Sequence, residues 1–112
     1  MREILEKLNG EVGIRGSLIL TRDGIVVQSV LATTGLDEDR VAAIAGEAFI
    51  RMRRALERAG VGGLDRFLVT ASFGRMIFTD VGRAVLVVVA DRLIDIEMAL
   101  LAISHAAYKL RG

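Results

Sequence analysis

Hydrophobic and polar positions alternate along the chain in eight segments, and the clearest is the apolar run from Ala84 to Ala90. It contains four valines and no charge, and Arg83 and Asp91 bracket it. β-Branched side chains favour extended backbone. A run that is apolar on both alternating faces is typical of a strand covered on both sides. The pattern therefore predicts a central strand with helices on each face of its sheet.

Four other segments have strand character. Residues 14–21 alternate weakly, and residues 25–32 form a return strand after Asp23-Gly24, which is a strong hairpin signal because glycine adopts positive φ without steric cost. Two short strands, 66–72 and 75–79, lead through tight turns into the central strand. Thr33-Thr34-Gly35 is predicted to be a loop.

Three segments have helical periodicity. Residues 1–9 predict a short amphipathic helix. A long helix is predicted from about Glu38 to Ala59, with Asp37 as its N-cap and glycines after its end. Asp95 is predicted to cap a last helix that continues to about Leu110.

The long helix is predicted to place one stripe of small and large apolar side chains on the core. Ile50 lies opposite this stripe and Phe49 at its edge, so both are candidates for a second contact. The predicted core stripe is Val41, Ile44, Ala45, Ala48, Met52, Ala55, Leu56 and Ala59.

The last helix has two apolar stripes, which predicts burial on two sides. The first helix is the expected cover for the second stripe, because its own apolar residues need a partner. The core stripe is Ile96, Ala99, Leu100, Ile103, Ala107 and Leu110. The second stripe is Met98, Leu101, His105 and Tyr108.

These elements give the order α-β-β-α-β-β-β-α in a single domain, residues 1–112, with no linker or repeat. Pairing the first strand with the doubly apolar last strand gives a five-stranded antiparallel sheet of order 2-1-5-4-3. The fold class is α+β, an α/β sandwich with helices on both faces. Strands 25–32 and 66–72 are then its edges.

Composition narrows the function classes. The net charge is +1, which gives no global argument for nucleic acid, and 53% hydrophobic residues supply a full core with apolar surface to spare. Cysteine is absent, which fits a reducing compartment. Charged residues interrupt the first positions, which is unlike the apolar region of a signal peptide. The uncharged stretches are too short for a membrane span. We therefore expect a cytoplasmic protein without membrane insertion.

Candidate catalytic chemistry is sparse. The single histidine, His105, has no acidic neighbour at helical spacing, whereas a triad or metal site needs two or three convergent groups. Gly60, Gly62 and Gly63 follow a helix, so they terminate it and do not form a phosphate loop. We predict no catalytic, cofactor-binding or metal-binding residues, and no enzymatic activity.

Arginines line one flank of the long helix. At 100° per residue, Arg40, Arg51, Arg54 and Arg58 fall on a narrow flank together with Glu47, which is spaced to pair with Arg51. Two readings remain open, a solvated flank or a docking flank for an acidic partner.

The stretch Gly13 to Val27, a glycine, an apolar strand, Asp-Gly and a second apolar strand, resembles the signature hairpin of the roadblock/dynein light chain family. The alanine-rich long helix, the three-strand meander and the valine-rich last strand extend the resemblance along nearly the whole chain. The chain departs from the family at Asp95-Ile96-Glu97, where members often carry a glycine.

The resemblance implies a profilin-like topology and a non-enzymatic, dimeric interaction module that binds and regulates a Ras-like small GTPase, as an activator or a scaffold. It implies pairing of strands 66–72 and of helices 38–59 between two copies, or with a related roadblock subunit. The expected dimer contacts are Arg66, Phe67, Leu68, Val69, Thr70, Phe49 and Met52. The expected partner contacts are Ile50, Arg51, Arg53, Arg54 and Arg58. The alternatives are a small-molecule-binding sensor domain or a general dimeric scaffold subunit.

Overall fold

A computed structural model of the chain describes residues 1–31 and 35–112. The predicted loop at Thr33 and Thr34, and the last residue of the predicted return strand, Ala32, lie outside the described residues. The elements are α1 (Arg2–Asn9), β1 (Ile14–Thr21), β2 (Val26–Leu31), α2 (Glu38–Ala59), β3 (Arg66–Ala71), β4 (Gly74–Asp80), β5 (Ala84–Ala90) and α3 (Ile96–Arg111).

The five strands form one antiparallel sheet of order β2-β1-β5-β4-β3. β5 lies at its centre, where Leu86 pairs with Ile19 of β1 on one side and with Thr79 of β4 on the other. The predicted sheet order and both predicted edges, β2 and β3, are confirmed.

Side chains of β5 alternate between two hydrophobic cores. Leu86 and Val88 belong to the core beneath α1 and α3, whereas Val85, Val87 and Val89 belong to the core beneath α2. All five are at most 1% exposed. The strand is therefore covered on both faces, and its unbroken apolar run follows from that position.

The two longer helices begin as predicted. Asp37 accepts a hydrogen bond from the backbone N–H of Arg40 at 3.2 Å, and Asp95 accepts one from that of Met98 at 3.2 Å. Each carboxylate satisfies an N–H that has no partner within the helix. α3 thus has an ordinary N-cap at Asp95.

The predicted core stripe of α2 is wrong by about a quarter turn. Its fully buried residues are Ala45, Gly46 and Phe49, whereas Ile44 is 50% exposed and Met52 37% exposed. The residues that face the sheet are mostly small, so the larger side chains beside them shifted the predicted stripe away from the sheet.

The predicted core stripe of α3 is right, but the predicted cover of its second stripe is wrong. Met98 is 61%, Leu101 68% and Tyr108 77% exposed. α1 instead buries Leu5 and Leu8 in the core that α3 shares. It lies to one side of α3 and leaves the outward face of that helix uncovered.

Candidate functional site: the edge strand and the two flanks of the long helix

β3 ends the sheet and pairs only with β4 among the described residues. Leu68 is 40% and Val69 37% exposed, and Thr70 is also exposed. These three predicted dimer contacts lie together on an edge whose outer backbone groups can bind a further strand.

The other two predicted contacts on β3 are held within the chain. The ring of Phe67 stacks on that of Phe78, with centroids 4.2 Å apart and planes 4° from parallel. Arg66 donates to the hydroxyl of Thr79 at 3.0 Å and to that of Ser104 at 3.2 Å. Both residues therefore brace the edge strand against the sheet and α3.

α2 carries a second apolar face, consisting of Ile44, Ala48, Met52 and Ala55. Ile44 lines a hollow of about 230 Å³ together with Phe73 of the β3–β4 turn and Met76 of β4. The second apolar face is thus turned toward the β3 side of the sheet, and it is open to solvent there.

Phe49 does not belong to this exposed face. The sequence pattern predicts it at the edge of the core stripe, and that position is wrong. Its side chain is only 2% exposed and packs in the core between α2 and the sheet. Of the two predicted dimer contacts on α2, only Met52 lies where a second molecule can touch it.

The opposite flank of α2 borders a groove of about 680 Å³ beside the β1–β2 hairpin. Three arginines line it, along with an acidic residue from each wall. The groove-lining residues are Asp23, Gly24, Ala42, Ala43, Gly46, Glu47, Ile50, Arg51, Arg54 and Arg58.

Four of the five predicted partner contacts, Ile50, Arg51, Arg54 and Arg58, lie together in this groove. Arg53 does not line it. Its side chain is 28% exposed and pairs with Glu57 at 3.4 Å.

The predicted ion pair on the arginine flank is confirmed. Arg51 approaches Glu47 at 2.9 Å, and the two side chains are 79% and 66% exposed. Pairs this exposed contribute little stability, about 0–1 kcal/mol. This pair therefore adds little to the stability of the fold, although it contributes to the local charge of the groove.

A contact between two glycines fixes the floor of the groove. A Cβ atom on Gly46 would lie 2.5 Å from the carbonyl oxygen of Gly24, so α2 and the hairpin approach more closely than any side chain permits. The sequence pattern predicts the hairpin from Asp23-Gly24 but does not predict this role for Gly46. A glycine inside a helix destabilises it by about 1 kcal/mol relative to alanine, so a glycine within a helical pattern is a signal of close packing at that position.

Other chemistry is limited in the described part of the chain. It contains no group of three or more histidine, cysteine, aspartate or glutamate residues placed to hold a metal ion. No helix within residues 1–31 or 35–112 is long and apolar enough to cross a bilayer. His105 is exposed and lines a small hollow between α1 and α3 with Lys7, Glu11 and Lys109.

The architecture and the exposed edge define the class first: a profilin-like α/β sandwich with an open edge strand and a long helix over one face. Sequence and structure comparisons then give the family. The Roadblock/LC7 domain model matches residues 1–90, and the chain belongs to that family.

Individual relatives agree with this assignment. The protein described as uncharacterized protein MJ1340 from Methanocaldococcus jannaschii is 30% identical over 109 residues, which cover 97% of this chain and 95% of that protein. The structure of Myxococcus xanthus MglB superposes with a TM-score of 0.84 at 19% identity, covering 97% of this chain and 89% of MglB. A Roadblock/LC7 domain from Streptomyces avermitilis gives 0.81 at 20% identity, covering 99% and 94%. At these identities the two structures establish the fold.

Proposed function

We propose that this protein is a dimeric, non-enzymatic interaction module that binds and regulates a Ras-like small GTPase. The observation that carries the proposal is the arrangement around α2, with an apolar flank on the side of the open β3 edge and an arginine-lined groove on the other. Membership of the Roadblock/LC7 family supports the same reading.

In the proposed homodimer, β3 pairs with β3 of a second copy, and the second apolar faces of the two α2 helices lie side by side. The open strand edge, which is a template for pairing, and the exposed Ile44 and Met52 are then covered together. The same surfaces would serve for pairing with a related roadblock subunit.

In this arrangement the arginine groove stays accessible, because it lies on the flank of α2 away from the β3 edge. Ile50 supplies an apolar centre, and Arg51, Arg54 and Arg58 supply a positive rim. Such a rim accelerates association with an acidic surface more than it adds affinity.

The dimer is tested by sedimentation velocity at micromolar concentration. We expect a dimer for the native chain and a monomer for Met52→Glu, because the introduced carboxylate would be buried unpaired at the contact. A native chain that sediments as a monomer contradicts the proposal.

The groove is tested with Arg51→Glu combined with Arg54→Glu. We expect an intact dimer and a nearly unchanged melting temperature, because both side chains are exposed. Association with a Ras-like GTPase from the same organism, loaded with GTP, should slow about tenfold at low salt, and the deficit should shrink at high salt.

Each variant is the control for the other, since Met52→Glu removes the dimer and the double arginine change leaves it. Unchanged GTPase binding in the double variant, together with loss of binding in a folded Tyr108→Ala variant, would place the partner on α3 instead.

The small-molecule sensor is the second candidate, and the 680 Å³ groove is the observation that favours it. Three arginines outnumber Asp23 and Glu47 in its walls, so a small ligand there would be an anion. Saturation by inorganic phosphate at micromolar concentration, measured by calorimetry, would favour the sensor over the GTPase module.

A further inference from the structure

The outward face of α3 carries four residues that the core, α1 and the proposed dimer all leave uncovered. These are Met98, Leu101, His105 and Tyr108, called here the outer seam of α3. Each is exposed. α3 covers the sheet face opposite α2, and the seam points away from the sheet. It is therefore separate from the surfaces used by the proposed function.

The spacing of the outer seam is that of a coiled coil. Successive members are three, four and three residues apart, which is the a-d-a-d pattern of two heptads. A narrow a/d stripe fits one helix of another molecule, whereas a helix that packs on a sheet carries a wider apolar face, as the core side of α3 does.

Charge along the seam selects the orientation of that second helix. If the second helix is another α3 running antiparallel, Met98 lies opposite Tyr108 of the second copy, and Leu101 lies opposite its His105. The flanking positions then bring Glu97 beside Arg111 of the second copy and Asp95 beside its Lys109. By twofold symmetry each of these opposite-charge pairs occurs twice.

A parallel arrangement loses this complementarity. It stacks each seam residue on its own copy, so His105 meets His105. It also places Glu97 near Ala102, and Lys109 near Ser104, so no opposite charges meet across the interface.

We propose that α3 is a second self-association surface, which packs antiparallel against α3 of another copy through the outer seam. A helix pair two heptads long belongs to the small class of specific interfaces, below about 1,200 Å² in total, and we expect a Kd of about 100 µM. Combined with the proposed α2–β3 dimer, this contact joins dimers into tetramers or longer assemblies.

The first experiment is sedimentation equilibrium from 10 µM to 1 mM. The weight-average mass of the native chain should rise across this range, from close to that of the α2–β3 dimer to that of tetramers or longer assemblies, and Leu101→Asp should weaken that step at least tenfold. Ile25→Asp is the matched control, because Ile25 is 65% exposed and Leu101 is 68% exposed, and Ile25 lies in the hairpin away from α3. Thermal melts confirm that both variants fold.

The second experiment tests the orientation by mixing. Glu97→Arg and Arg111→Glu should each weaken the step, because like charges then meet across the seam. An equimolar mixture of the two variants should restore it, since each arginine then faces a glutamate. Arg111 also donates to the carbonyl of Asp80 at 2.8 Å within its own chain, so the melting temperature of that variant is measured beside its association.

Three results would overturn the proposal. A native chain with no mass increase up to 1 mM excludes self-association through the seam. An unchanged step in Leu101→Asp places the contact elsewhere. Failure of the mixture to recover, when both single variants are folded and weakened, rules out the antiparallel pairing. None of these results depends on whether the protein binds a GTPase.

Discussion

α2 and α3 cover opposite faces of the same sheet, but hydrophobic periodicity predicts the buried face of only one of them correctly. α3 places its largest buried side chain, Ile103, at the centre of its predicted stripe and keeps its extra apolar residues on the far side. α2 faces the sheet largely with small residues, including Ala45 and Gly46, and carries larger apolar side chains on the adjacent flank. Hydrophobic periodicity therefore located the core face of α3 and missed that of α2.

Hydrophobic periodicity therefore reports the sum of the apolar faces of a helix, not only the face that packs on its own core. Where the second face lies opposite the core, as in α3, the two stripes separate. Where the second face is adjacent, as in α2, they merge into one stripe with a wrong direction. The exposed apolar residues Ile44 and Met52 account for that error, and they are the residues that the proposed dimer would cover.

The largest predicted effect on stability distinguishes the buried face of α2, which carries Phe49, from its second apolar face, which carries Met52. Phe49→Ala is expected to lower the free energy of unfolding by about 3–5 kcal/mol at every protein concentration, because it opens a cavity in the core. Met52→Ala should lose stability only at concentrations where the dimer forms, since its loss comes from the dimer. Denaturant titrations at two concentrations measure both. A large loss of unfolding free energy for Met52→Ala that does not depend on protein concentration would mean that Met52 belongs to the core stripe, as the sequence pattern predicts.

A smaller effect tests the close approach of α2 to the hairpin. Gly46→Ala should cost about 1–3 kcal/mol, because the added Cβ collides with the backbone of Gly24. Gly63→Ala is the control, as the structure shows nothing within 4 Å of its Cβ position. Equal stability of the two variants, measured by urea unfolding, would mean that the small-residue face of α2 is not pressed against the hairpin.

The smallest effect should be the same in both helices. Asp37→Ala and Asp95→Ala each remove one N-cap hydrogen bond of 3.2 Å, and each should cost about 1 kcal/mol. Thermal unfolding of the two variants measures this. A much larger loss at Asp95 would show that the entry into α3 has a further structural role.

The site was only partly predictable. Leu68 and Val69 were correctly expected at the surface, because they belong to an edge strand. Met52 was placed both in the core stripe of α2 and among the dimer contacts, and at 37% exposure it does not belong to the core. Helical spacing correctly grouped Arg51, Arg54 and Arg58, whereas Arg40 lines the hollow beside Ile44 instead. Phe49 was misplaced, since its adjacency to Ile50 suggested a shared role, whereas their side chains point to different sides of α2.

The element order, the hairpin, the helix caps and the position of the central strand can be derived from the sequence, because they depend on local propensity and on the apolar run at Ala84–Ala90. Which face of α2 meets the sheet, where α1 lies and which apolar residues stay exposed depend on tertiary packing. Those outcomes depend on how closely backbones approach, as at Gly24 and Gly46, and on competition between helices for one sheet face. Neither quantity is carried by the periodicity of a single segment.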